Sequence, residues 1–389
     1  MLTDLRIWDG ERLLAADTLI ITGSRIRAVC AKADLAGMPE VCAAAVIALP
    51  GCTALPGLID AHVHMVLDPD DSSPPAADFL PDLAAMRTRA AAMVRAGITT
   101  ARDLGGGAWR ELILRDAIGR GEVPGPRLLC AGQPVTCPGG HCHFWGGAAA
   151  NIAEARRVID RQVQHGVDLI KVMATGGRFT RGSKPLDPQF DQQTLEAIVS
   201  AARDQGLPVA AHCHGTPGID AAARAGVHSI EHCSWVGEGG WAADYQEAVA
   251  RRMLERGVWV SPTINRGWQR MLQGSPTLPR MRHALQHMRE MGIQIMASTD
   301  AGIPGVYHHE LPEALAVLSA VAELSPELTL RSATADAAQG LGLGALTGRL
   351  APGRAADVLV VDGDPLLDLA ALTRPVAVWA AGRVARAPA

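Results

Sequence analysis

The amino-acid sequence predicts an α/β chain: a (β/α)8 TIM-like barrel carrying a small β-sandwich domain formed by both termini. Three observations carry this expectation. The middle of the chain alternates short apolar runs with helical patterns, in eight successive units. The two ends share a strand-rich texture. Polar side chains fall at the C-terminal ends of the apolar runs, the face where such a barrel keeps its chemistry.

Residues 1–55 read as short strands, with Leu5–Trp8, Thr18–Ile21 and Arg25–Val29 bounded by Asp9-Gly10 and Gly23-Ser24 turns. From 345 to 389 the texture returns in Ala356–Val361 and Val376–Gly382. The two blocks are expected to pair as one composite domain, 1–55 plus 345–389, around a barrel spanning 56–344. Its first strand opens after Pro56-Gly57 and ends at His64. The further strands expected are Ile98–Asp103, Arg127–Ala131, Val167–Ala174, Leu207–His212, His228–His232, Val258–Thr263 and Ile293–Thr299. Between them lie helical patterns such as Leu83–Ala96, Ile152–His165, Leu195–Gln205, Gly218–Ala225, Tyr245–Arg256 and Met281–Met291.

Composition narrows the class. With 48% apolar residues, a large core is expected. A net charge of −4 argues against nucleic acid, whose binding needs a basic face. No apolar run reaches membrane-spanning length, and Met1–Arg6 lacks a secretory pattern, so the expected location is the cytoplasm. The eight cysteines form no CxxC pair and are expected to be reduced. Cys142, Cys213 and Cys233 adjoin histidines, which suggests thiolate ligation. On a strand, however, each would face away from its histidine and pack as a small apolar group.

His62 and His64 stand at i and i+2, so on a strand both imidazoles share a face and make half of a metal site. His212, Glu231-His232 and Ser298-Thr299-Asp300 close later strands. Lys171 interrupts the apolar run Asp168–Ala174, where an unpaired ammonium would cost several kcal/mol. A neutral amine of shifted pKa is one explanation. Conversion to a carbamate, an anionic oxygen ligand, is the other, and the neighbouring histidines and aspartate favour it.

Taken together, Pro56-Gly57-Leu58-Ile59-Asp60-Ala61-His62-Val63-His64, Lys171, His212, His232 and Ser298-Thr299-Asp300 resemble the amidohydrolase superfamily, in its binuclear branch with a carboxylated lysine. The strand and turn run Gly348–Pro365 fits the same family, so the resemblance covers nearly the whole chain. Ile170–Gly177 and Gly139-Gly140-His141 are similar more narrowly to the Xaa-Pro and Xaa-Arg dipeptidase-like members, near imidazolonepropionases. The resemblance implies two divalent metal ions, zinc by expectation, and carbon dioxide or bicarbonate for N6-carboxylation of Lys171. His62, His64 and Asp300 would hold the first ion, His212 and His232 the second, and the Lys171 carbamate would bridge them. Asp300 would move the proton of the attacking water, a hydroxide between the metals.

Other candidates keep two readings each. His141 and His143 repeat the i, i+2 spacing; the resemblance suggests that His141 bonds the scissile group or a substrate carboxylate, against a loop histidine packed by Trp145. His214 stands where some dipeptidase-like members have Tyr, and is expected to polarise a carbonyl or stabilise transition-state charge. Arg178, Arg181 and Lys184 follow Lys171 and either grip a substrate carboxylate or are solvated loop charges. Trp235, Trp268 and Tyr307 either line an apolar pocket or seal the barrel rim. His283 and His287 read as surface residues, and Asp68–Ala77 as a mobile loop able to act as a lid. The expected activity is hydrolysis of an amide-like bond in a dipeptide or N-acyl amino acid, by a homo-oligomer acting on a small molecule. The alternatives are a carbamate, urea, lactone or organophosphate ester hydrolase, and, from another class, a scaffold without catalysis on the same fold. A mononuclear deaminase fits less well, because Gly215–Asp220 lacks a glutamate.

Overall fold

The structure, a computed structural model, describes residues 1–37, 45–76 and 78–388. Part of the expected 1–55 block, residues 38–44, and Ala77 of the expected loop lie outside the described residues.

Strands from both ends of the chain build two sheets. The first contains β1 (Leu2–Thr3), β3 (Thr18–Thr22), β4 (Arg25–Cys30) and β5 (Ile47–Ala48). The second joins β2 (Arg6–Ile7) and β6 (Cys52–Pro56) to β14 (Val358–Asp362), β15 (Pro375–Ala380) and β16 (Arg383–Arg386), with β14 between β6 and β15. The run Val358-Leu359-Val360-Val361 is apolar throughout because both faces of β14 are covered. Val358 and Val360 face the core shared with Leu19 and Ile26, while Leu359 and Val361 enter the larger core of the central body.

That body is parallel. β7 (Leu58–Val63), β8 (Ile98–Asp103) and β9 (Arg127–Cys130) form one sheet. β10 (Ile170–Met173), β11 (Val209–Gly215), β12 (Ser229–Val236) and β13 (Trp259–Ser261) form another. Parallel bridges at Val135–Val172, Val260–Ile295 and Val63–Ala301 connect the two arcs. Helices separate successive strands. Ile152–His165, for example, is capped by the Asn151 side chain and stopped by Gly166 at φ 74°. Among the described residues, no helix is long and apolar enough to cross a membrane.

One expected strand differs. Ile293–Thr299 forms no regular ladder among the described residues. Its backbone bonds are shared among several partners: Met296 N–H reaches Val260 O, Ala297 N–H reaches Ser332 O, and Ala297 O accepts from Ala61. Asp300 follows with a left-handed backbone, φ 63°, which ends any strand there.

Candidate metal centre

Five histidines, Lys171 and Asp300 converge at the C-terminal ends of the parallel strands, around a cavity of about 420 Å³. β7 presents His62, with His64 directly after it; β10 presents Lys171; β11 presents His212 and His214; β12 presents His232. His232 and Asp300 hold φ of 66° and 63°, backbone that costs of order 1–3 kcal/mol per residue and aims both side chains inward.

The donor atoms form two clusters. In the first, His62 Nε2, His64 Nε2 and Asp300 Oδ1 make a nearly equilateral triangle, with sides of 3.3, 3.2 and 3.3 Å. Ligands about 2.0–2.1 Å from a tetrahedral zinc stand about 3.3–3.4 Å apart, so the triangle has the size of one face of such a site. In the second, one donor atom each from His212, His214 and His232 lies within 4.8 Å of the others. These residues fit a pair of divalent cations.

The remaining ring nitrogens are pinned, as metal-binding imidazoles require. His62 Nδ1 bonds Glu231 Oε2 at 3.0 Å, His64 Nδ1 bonds Gly105 O at 3.0 Å, and His212 Nε2 bonds Gly176 O at 3.1 Å. His232 Nδ1 bonds Thr263 Oγ1 at 2.7 Å and His214 Nδ1 bonds Ser234 Oγ at 2.9 Å. Burial, then neighbouring positive charge, holds His212 and His232 well below the usual histidine range, so both rings are neutral. Asp300 stays ionised: burial opposes the charge, but His62 and His64 outweigh it.

Beneath the ligands lies a buried polar layer. Glu231, fully buried, takes Arg102 Nη2 at 2.8 Å and the Ser229 hydroxyl at 2.6 Å besides His62. Arg102 also donates to Ala61 O at 2.7 Å. Asp60 accepts the Thr299 hydroxyl at 2.6 Å and the His62 backbone N–H at 3.2 Å, tying the first strand to the segment that carries Asp300. Lys171 is 1% exposed, and among the described residues no hydrogen bond or ion pair engages its Nζ. Burial lowers its pKa, which favours the neutral, nucleophilic amine.

Other expected residues are distributed unevenly. His141 lines the cavity, its ring 4.6 Å from that of His212 and its buried Nδ1 unpartnered. A Cβ on Gly177 would lie 2.5 Å from this ring, so glycine is what lets the loop pass. Trp145 packs on His64, with centroids 5.3 Å apart. Arg178 and Trp268 also line the cavity. Five candidates, Trp235, Tyr307, His143, Arg181 and Lys184, stand outside the lining. Trp235, at φ 50°, turns beneath the rim and packs on Tyr245. The Tyr307 hydroxyl is taken by Asp70 at 2.5 Å. His143 is exposed on a 3-10 turn and bonds Gly140 O. Arg181 is exposed on the loop. Trp241 and Phe179 supply apolar walls that the sequence reading missed. The cysteines pack: the Cys213 thiol reaches Gly218 O, and Cys233 lies against the helix Leu278–Glu290 beside Met281 and Met288.

Residues 53–385 match the model of the amidohydrolase family. The chain belongs to the amidohydrolase family. It is therefore a hydrolase, and the activity that goes with this membership is metal-dependent cleavage of amide-type C–N bonds. It is 28% identical over 424 residues to ochratoxinase from Aspergillus niger, covering 98% of this chain and 85% of that protein. Among solved structures, it is similar to a Xaa-Pro dipeptidase with bound methionine, with TM-score 0.84, 25% identity and 98% of both chains covered. It is also similar to a prolidase complexed with N-methylphosphonate-L-proline, with TM-score 0.82, 26% identity and 98% of both chains covered. These neighbours make the fold an α/β barrel of the TIM type.

Proposed function

We propose that this amidohydrolase cleaves the amide bond of a dipeptide or N-acyl amino acid with the help of two zinc ions, which His62, His64, Asp300, His212, His232 and a carbamate on Lys171 would hold. The observation that carries the reading is the 3.2–3.3 Å triangle of His62, His64 and Asp300 beside a second histidine cluster. Burial lowers the Lys171 pKa, and the amine in its neutral form would add to carbon dioxide and release a proton, leaving an anionic oxygen ligand where an unpaired ammonium would be costly. The relatives with an amino acid or proline analogue in their sites support a substrate bearing a carboxylate. The barrel, 56–344, would carry all of this chemistry, with 1–55 and 345–389 as its supporting β domain.

Bound cations supply Lewis-acid polarisation of the scissile carbonyl and acidify water. The chain's own residues do the rest. Asp300, ionised and at the cavity floor, receives the proton of the attacking water and returns it to the leaving nitrogen. His141, with its pKa held down to about 4 chiefly by burial, is neutral and offers an N–H to charge developing on the carbonyl oxygen. Arg178 at the mouth meets the substrate carboxylate, and Trp241, Trp268 and Phe179 cover the apolar part.

Metal content by mass spectrometry, paired with hydrolysis of a panel of dipeptides and N-acyl amino acids, tests this. Two zinc ions per chain in bicarbonate, with activity lost on chelation and regained with zinc, are expected. Full activity in metal-free protein refutes the reading.

A further inference from the structure

His214 has the environment of a ligand. Its Nδ1 is fixed by Ser234 Oγ at 2.9 Å, as the other nitrogen of His62, His64, His212 and His232 is fixed, which leaves Nε2 free. Its backbone N–H is held by Thr175 Oγ1 at 3.0 Å. The rings of His212, His214 and His232 stand 4.5, 4.6 and 4.5 Å apart, a triangle of nearly equal sides. Three imidazoles disposed about one point give such sides; a group placed only to touch substrate has no reason to complete them. His141 lies as near to His212, at 4.6 Å, yet does not join the donor cluster.

We propose that His214 is a third imidazole ligand of the second cation, in place of the carbonyl-polarising role expected from its position in the sequence. His212, His214 and His232 would then hold the second cation together, without needing the carbamate. Two imidazoles alone make a weak site that depends on the carbamate. Three hold a cation before Lys171 is carboxylated, and that bound positive charge then favours the carbamate anion beside it. The inference rests on the two-cation reading above and adds that the second site does not need carbon dioxide.

The experiment counts and titrates zinc in chelator-stripped protein, using a chromophoric competitor and mass spectrometry, with and without bicarbonate. In carbon-dioxide-free buffer, Lys171→Ala keeps a zinc equivalent that Lys171→Ala/His214→Ala loses, or binds at least about 100-fold more weakly, the upper end for losing only a ligand's hydrogen-bond partner. His214→Ala alone regains this equivalent when bicarbonate is added, because the carbamate substitutes. Ser234→Ala, which keeps the imidazole and removes only its anchor, weakens the same equivalent about 10–100-fold; it is read in its own right if the double variant fails to fold. Cobalt in the site shows the visible absorption of a tetrahedral nitrogen set, lost with His214. Equal zinc binding by Lys171→Ala and the double variant, or no change in Ser234→Ala, overturns the inference and leaves the two-cation reading standing. Wild-type protein that takes up no zinc even in bicarbonate overturns that reading itself.

Discussion

Replacing Glu231 by Gln tests whether the buried layer under the metal centre does what its geometry implies. The change keeps shape and removes one charge. Arg102, 2% exposed, then loses its only ion-pair partner among the described residues. Breaking a buried pair from one side costs about 3–5 kcal/mol, because a charge is left uncompensated. His62 loses an anionic acceptor at 3.0 Å, and metal affinity should fall about 10–100-fold, or about 1.4–2.7 kcal/mol. The two effects separate in the assay: urea denaturation of metal-free protein reads the first, and zinc titration the second. The pH dependence has a definite sign. Burial works against the Glu231 carboxylate, but Arg102 and His62 hold its pKa well below the ordinary 4.5. A depressed pKa gives stability that is present above about pH 4.5 and lost as pH falls further. Glu231→Gln should therefore lack part of the acid-induced loss of the wild type. Arg102→Met added to Glu231→Gln should restore part of the lost stability, since no lone guanidinium remains. A single variant less than about 1 kcal/mol weaker, with unchanged zinc affinity, would refute the reasoning.

Three further outcomes are expected. Arg178→Ala should raise KM about tenfold or more for substrates with a free carboxylate while changing kcat little, a split visible against carboxamide-capped analogues; equal effects on both would remove Arg178 from the substrate contact. Glu111 is fully buried with neither carboxyl oxygen hydrogen-bonded, and burial followed by the Asp103 charge pushes its pKa up to about 8. A raised carboxyl pKa costs stability increasingly from about pH 4.5 to 8, so Glu111→Gln should gain about 4 kcal/mol near pH 7.5 and almost nothing at pH 4, measured by urea denaturation at both. Tyr307→Phe removes the hydroxyl that holds Asp70, and should speed limited proteolysis of the loop following β7, whose Ser72 lines the cavity; unchanged cleavage would show that the bond does not anchor the loop.

The parts of the site that were legible in the sequence share one property: each ligand announces itself locally. His62 and His64 stand at i, i+2 next to a Pro-Gly turn, and Lys171 interrupts an apolar strand. Glu231 interrupts one just as plainly, between Ile230 and His232, but its meaning lies in Arg102, 129 residues away, and no local pattern names that partner. Trp235 and Trp241 show the opposite failure. Both follow the sixth strand, and composition alone makes them equal candidates for the pocket. The left-handed backbone at Trp235 sends it under the rim and leaves the wall to Trp241. Strand periodicity assumes extended backbone, and here it fails where His232, Cys233, Trp235, Thr263 and Asp300 adopt positive φ. Such positions cost energy and persist only where the surroundings over-determine them. That two of the candidate ligands, His232 and Asp300, are among them argues that the chain spends stability on aiming donors into the site. By the same reasoning, relaxing the backbone at Asp300 with glycine would ease the strain, yet the ligand would be lost with it. The strain and the metal site cannot be selected independently.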